Sequence, residues 1–128
     1  MTHPSLMPST GLKEFATAER CFITELLGHP SQPGVSLARA RVLPGVTTQL
    51  HALDVEEIYV IETGSGVMEV NGDRFRVVPG DSVLIPQGMP QRIENDGTDD
   101  LVFLCLCRPR FRPEGYVNLE APNAEGTP

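Results

Sequence analysis

At 128 residues the chain has the length of one domain that buries its own core, with little room for two. A formal net charge of −7, with ten lysines and arginines that form no run, excludes a nucleic-acid partner. No stretch approaches the ~20 apolar residues of a membrane span, and three cysteines with no secretory pattern over residues 1–20 point to a reducing cytoplasm.

In chain order, residues 1–19 are polar and interrupted by Pro4, Pro8 and Gly11, so they are expected to form an N-terminal arm with at most a helical turn near Leu12–Ala18. Residues 20–112 carry the domain. Short β-prone runs follow one another there: Cys21–Leu27, Ser36–Leu43, Thr47–Leu53, Glu57–Glu62, Val67–Val70, Arg74–Val78, Ser82–Ile85, Gln91–Glu94 and Leu101–Cys107. Turn residues separate them, among them Pro44-Gly45, Gly64-Ser65-Gly66, Asn71-Gly72, Pro79-Gly80 and Pro86-Gln87-Gly88, a pattern that predicts an all-β sandwich or barrel. Asn71-Gly72 is the sharpest signal, because a two-residue type I′ hairpin needs positive φ at both centres. Residues 113–128, broken by Pro113, Gly115, Pro122, Gly126 and Pro128, are expected to be a flexible C-terminal tail whose last eight residues are disordered.

Side chains alternate along a strand, so Gln49, His51 and Leu53 are expected to share one face, and Glu57 and Tyr59 one face of the next run. If the loop Asp54–Glu56 folds these runs together, His51 and Glu57 converge, and Gln91, just after the Pro86–Gly88 turn, projects into the same cavity. Two chemistries are open to such a site. With Gln49 and Gln91, the pair offers one nitrogen, one anionic oxygen and two neutral oxygens to a divalent metal. Without metal, His51 serves as a general acid or base oriented by Glu57, with Tyr59 as a further proton donor or acceptor. The plain alternatives are a hydrogen-bonded polar pair in a pocket and, for Tyr59, a core aromatic with a satisfied hydroxyl.

Candidate walls of a largely apolar substrate pocket are Leu53, Arg39, Arg41, Met68 and Phe103. Arg39 and Arg41 alternate with Ala38, Ala40 and Val42; a solvated face is the default for them, whereas a cavity-facing placement would bind a carboxylate. Cys105 and Cys107 alternate with leucines and read as core packing.

Two segments carry a family resemblance. Gly45, His51, Leu53, Glu57 and Gly64 keep the spacing of one motif, and Gly80, Pro86, Gly88, Gln91 and Asn95 that of a second. Together they resemble the cupin superfamily, with Leu53 where a second histidine would stand and Gln91 in place of the last metal-binding histidine. The resemblance spans roughly residues 35 to 107. It implies a double-stranded β-helix of jelly-roll type, commonly homodimeric, holding one divalent ion (Fe, Mn, Zn or Ni) on His51, Glu57 and Gln91, with Gln49 as a substitute donor. The implied activity is metal-dependent chemistry on a small organic molecule, of dioxygenase type or as an isomerase, cyclase or lyase. The alternatives are a noncatalytic ligand-binding cupin without metal, and a metal-free epimerase or isomerase working through His51.

Overall fold

The computed structural model describes residues 3–120. Within them the chain forms two antiparallel sheets that face each other as a jelly roll, the double-stranded β-helix. The larger sheet runs in the order β1 (Phe15–Ala16), β2 (Phe22–Leu27), β3 (Ser36–Val42), β10 (Leu101–Arg108), β5 (Glu56–Thr63) and β8 (Ser82–Ile85). The smaller runs β11 (Tyr116–Asn118), β4 (His51–Leu53), β9 (Gln91–Glu94), β6 (Gly66–Val70) and β7 (Asp73–Val77). No helix among the described residues is long and apolar enough to cross a membrane.

Eight of the expected runs form strands within two residues of the expected ends; Thr47–Leu53 shortens to His51–Leu53. The reason lies in the backbone donors of the missing part. Thr48 N–H bonds Ile93 O, Gln49 N–H bonds Glu19 O, and Leu50 N–H bonds the Glu120 carboxylate, so three neighbours replace one ladder. Asn71 and Gly72 adopt φ of 51° and 86° between the paired residues Val70 and Asp73, as a type I′ hairpin requires. At Gly64 (φ 78°) a Cβ would stand 2.5 Å from the carbonyl oxygen of Asp100, so the motif glycine lets the β5–β6 turn pass against the segment entering β10.

Alternation directs Val42, Ile61, Leu101 and Phe103 of the larger sheet inward against Met68 and Ile93 of the smaller, each no more than 2% exposed. Burying a side chain of this size is worth roughly 1.5–3 kcal/mol. Asn95 straps this core to its loops: Nδ2 donates to the carbonyls of Val42 (2.9 Å) and Asp99 (2.8 Å), while Oδ1 accepts from Gly97 N–H (3.0 Å).

Both ends of the described chain differ from expectation. Leu12–Ala18 holds no helical turn; Phe15 and Ala16 pair with Ile23 and Phe22 as an edge strand. The open edge of β2 supplies backbone partners that a single isolated turn cannot match. Residues 113–120 are ordered onto the barrel, with a 3₁₀ turn at Pro113–Gly115 followed by β11, which pairs Tyr116 with Leu53 and Asn118 with His51. The disorder expected of residues 121–128 lies outside the described residues.

Candidate functional site

The inward rows that are apolar at one end of the barrel turn polar at the other. In β5 the buried side chains run Glu57, Tyr59, Ile61; in β9, Gln91 precedes Ile93; β4 adds His51 and Leu53. Strand register sets His51 opposite Gln91 and Glu57 opposite Cys107. A buried chain of hydrogen bonds follows: Tyr59 Oη donates to Gln91 Oε1 (2.8 Å), and Gln91 Nε2 donates to Glu57 Oε1 (2.9 Å). The Cys107 thiol lies 3.7 Å from Glu57 Oε2.

On the facing strand His51 Nδ1 donates to the carbonyl oxygen of Gln49 (2.8 Å), and the ring stacks on Tyr116 at 4.7 Å and 13°. Tyr116 Oη in turn donates to Gln49 Oε1 (2.6 Å). A carbonyl can only accept, so the neutral ring carries its proton on Nδ1 and keeps a lone pair on Nε2. Among the described residues Nε2 has no hydrogen-bond partner. His51, Glu57 and Tyr59 line one cavity of about 260 Å³ with Leu53, Phe103, Ala38, Ala40 and Cys105.

Burial governs the electrostatics. It raises the Glu57 carboxyl to about 7, against the opposing pull of the Gln91 hydrogen bond. It lowers His51, against the opposing effect of the Gln49 carbonyl. Both shifts favour the uncharged forms, so near neutral pH an unprotonated Nε2 and a partly protonated carboxyl face the same space. Burial also holds the Cys105 and Cys107 thiols up, with the Glu57 charge adding to it, so neither is an activated nucleophile. Tyr59, pushed far above the ordinary phenol range by burial, spends its proton on Gln91 and positions that amide.

A divalent cation is what the resemblance implies here, and the residues present offer it a weak donor set of one imidazole, one carboxylate and two neutral amide oxygens that each already accept a hydrogen bond. Gln91 Oε1 accepts from Tyr59 and Gln49 Oε1 from Tyr116, which leaves each oxygen one lone pair, while the Gln91 nitrogen can only donate. Gln49 also precedes β4, so it does not continue the face of His51. The strong donors are one imidazole and one carboxylate, and among the described residues no group of three or more His, Cys, Asp or Glu is arranged to hold a metal ion.

Three expected pocket residues are corrected as well. Arg39 and Arg41 lie on the outer face of β3, where Arg39 pairs with Glu62 and Arg41 with Glu14 and Asp100; Ala38 and Ala40 line the cavity instead. Alternation forces this, since the small residues must face the barrel interior. Met68 is fully buried in the apolar core away from the cavity. Leu53 and Phe103 line it.

Much of the remaining wall was not anticipated. Phe15, Thr17 and Glu19 come from the expected arm, and Phe111, Pro113 and Tyr116 from the far end of the chain. One signal was present: the chain has only five Phe and two Tyr, and five of these seven aromatics line the cavity.

Residues 38–107 match the family model of the Cupin domain. The chain is 40% identical over 113 residues to the uncharacterized protein MJ1618 of Methanocaldococcus jannaschii, covering 85% of this chain and 90% of that protein. It is 33% identical over 113 residues to the tetracenomycin polyketide synthase protein TcmJ of Streptomyces glaucescens, covering 82% and 75%. Among solved structures, a predicted oxalate decarboxylase from Thermotoga maritima superposes with a TM-score of 0.72 at 26% identity, covering 81% of this chain and 98% of that one. With the family model spanning more than half of its length and the jelly roll in place, this chain belongs to the cupin domain family.

Proposed function

We propose that this cupin is a metal-independent acid–base enzyme acting on a small, largely apolar carbonyl compound, in the isomerase, cyclase or lyase group. One observation carries the reading: His51 Nε2 is buried and unpartnered in the same cavity as a carboxyl that burial keeps partly protonated. In the proposed step Nε2 takes a proton from the carbon next to a carbonyl, and Glu57 gives its proton to the carbonyl oxygen. The product is an enol, the imidazole becomes cationic and the carboxyl anionic; returning the protons at other positions completes an isomerisation or initiates ring closure. Gln91, held by Tyr59, orients the carboxyl, while Gln49 and Tyr116 fix the imidazole. The relative TcmJ supports this substrate class, because polyketide chains are rich in carbonyls with acidic neighbouring C–H bonds. The dioxygenase-type and other metal-centred branches are less favoured, because Gln49 and Gln91 are neutral oxygen donors each already accepting a hydrogen bond.

The test uses chelator-treated protein and the neutral ketone 2-tetralone, following exchange of its α-protons in D₂O by NMR. Exchange is expected to outpace an imidazole-buffer control and to fall about 100-fold or more in His51→Ala. Exchange no faster than the control, or activity lost on chelation and restored by one divalent ion, overturns the reading.

We further propose a cytoplasmic homodimer. Its three cysteines support the compartment, being unpaired. The dimer is supported by the outer face of the larger sheet, where Leu84 (56% exposed), Ile58 and Leu106 form an apolar row across β8, β5 and β10. A monomer by light scattering at micromolar concentration overturns it.

A further inference from the structure

We propose that the cavity selects its ligand by charge, admitting a neutral or cationic organic molecule that presents a hydrogen-bond donor to Glu19, and refusing carboxylates and phosphates. The inference rests on the reading of this cavity as the substrate site and adds the charge class of the substrate.

Three wall residues, Glu19, Glu25 and Glu57, carry carboxyl groups, and no Lys or Arg is among the residues that line the cavity. The missing positive charge has a structural cause. Eight of the nine arginines are held in ion pairs elsewhere, and Arg20, next to Glu19 in the chain, turns away to bond Glu120 and the Thr47 carbonyl. Two neutral donors are spent too. The hydroxyls of Tyr59 and Tyr116, which would suit an incoming anion, donate to Gln91 and Gln49.

Acceptors, in contrast, are free. Among the described residues neither the Glu19 carboxylate nor His51 Nε2 has a hydrogen-bond partner, although His51 is only 3% exposed. Desolvation raises the Glu19 carboxyl above its ordinary value, as expected of a partly buried acid without a counter-charge. An anion entering here would lose its hydration and meet like charge with no Lys or Arg lining the cavity to compensate it. An ammonium, phenol or alcohol would instead satisfy groups that the fold leaves unpaired.

The test is an NMR titration of the full chain at pH 7 with benzylamine (an ammonium at this pH), benzyl alcohol, benzoate and oxalate. Benzylammonium and benzyl alcohol are expected to shift the signals of cavity residues, and benzoate and oxalate to bind at least about 30-fold more weakly. Glu19→Gln is expected to weaken benzylammonium about tenfold and benzyl alcohol by less than about threefold. The wild-type series decides the charge preference even if that variant fails to fold. Benzoate or oxalate binding as tightly as benzyl alcohol, no probe binding at all, or an ammonium preference unchanged in a folded Glu19→Gln overturns the proposal. Binding is read without turnover, so failed proton exchange with an intact charge series sinks only the acid–base reading. Intact exchange with tight benzoate binding sinks only the charge filter.

Discussion

The two ends of the barrel are built on the same strands and differ only in what those strands point inward. At the closed end Ile61, Phe103 and Leu101 meet Met68 and Ile93; a few residues along, the inward positions hold Glu57, Cys107, Gln91 and His51. The apolar end gains from burial, whereas the polar end keeps a buried carboxyl whose charge is disfavoured. A barrel selected only for stability has no use for that carboxyl, and this contrast supports the proposal that the polar end is the functional site.

The sharpest way to break the comparison is at the closed end. Ile93→Ala, at a fully buried position remote from the cavity, should lower stability by about 4 kcal/mol in urea denaturation. A loss below about 1 kcal/mol would mean that the apolar end does not hold the barrel together.

Next in size is the pH dependence of the polar end. The folded Glu57 carboxyl titrates at about 7 against an ordinary 4.5, so the native state binds its proton more tightly than the unfolded chain. Its contribution to stability is complete below 4.5 and is lost as pH rises through 7, by roughly 3 kcal/mol. His51 is lowered from 6.5, so its contribution is present above 6.5 and lost as pH falls through its lower folded value. Wild-type stability should therefore sag on both sides of a maximum in mildly acidic solution. Glu57→Gln should shrink the alkaline sag, Glu19 supplying part of what remains; an unchanged alkaline profile would show that the Glu57 carboxyl is solvated.

Tyr116→Phe should cost about 1 kcal/mol through the lost bond to Gln49 while keeping the ring stacked on His51. Denaturation measures the cost, and the His51 ring resonances, expected to keep an Nδ1-protonated pattern, show whether the imidazole stays in place. The smallest effect is expected outside the barrel: Arg39→Ala should change stability by less than about 1 kcal/mol, since its pair with Glu62 is exposed. It should also leave benzyl alcohol binding unaltered, and any marked loss would return Arg39 to the pocket.

Fold and site were legible in the sequence to different depths. Strand positions followed from alternation and from local turn chemistry at Asn71-Gly72 and Gly64, which neighbouring residues dictate. The approach of His51 to Gln91, and of Gln91 to Glu57, agreed with motif spacing. The partners of the two glutamines were not legible, because the hydroxyls that reach them, Tyr59 and Tyr116, lie 32 and 67 residues away.

By itself the chain determined an all-β sandwich or barrel and the shared faces along its strands, because side-chain period and turn conformation are local properties; the jelly roll followed from the resemblance to cupins. Only the tertiary structure decided that the two ends of the described chain wall the cavity, that Arg39 and Arg41 face outward, and that the glutamine oxygens accept from Tyr59 and Tyr116. Those outcomes depend on desolvation and on partners distant in sequence, which no local pattern of residues encodes.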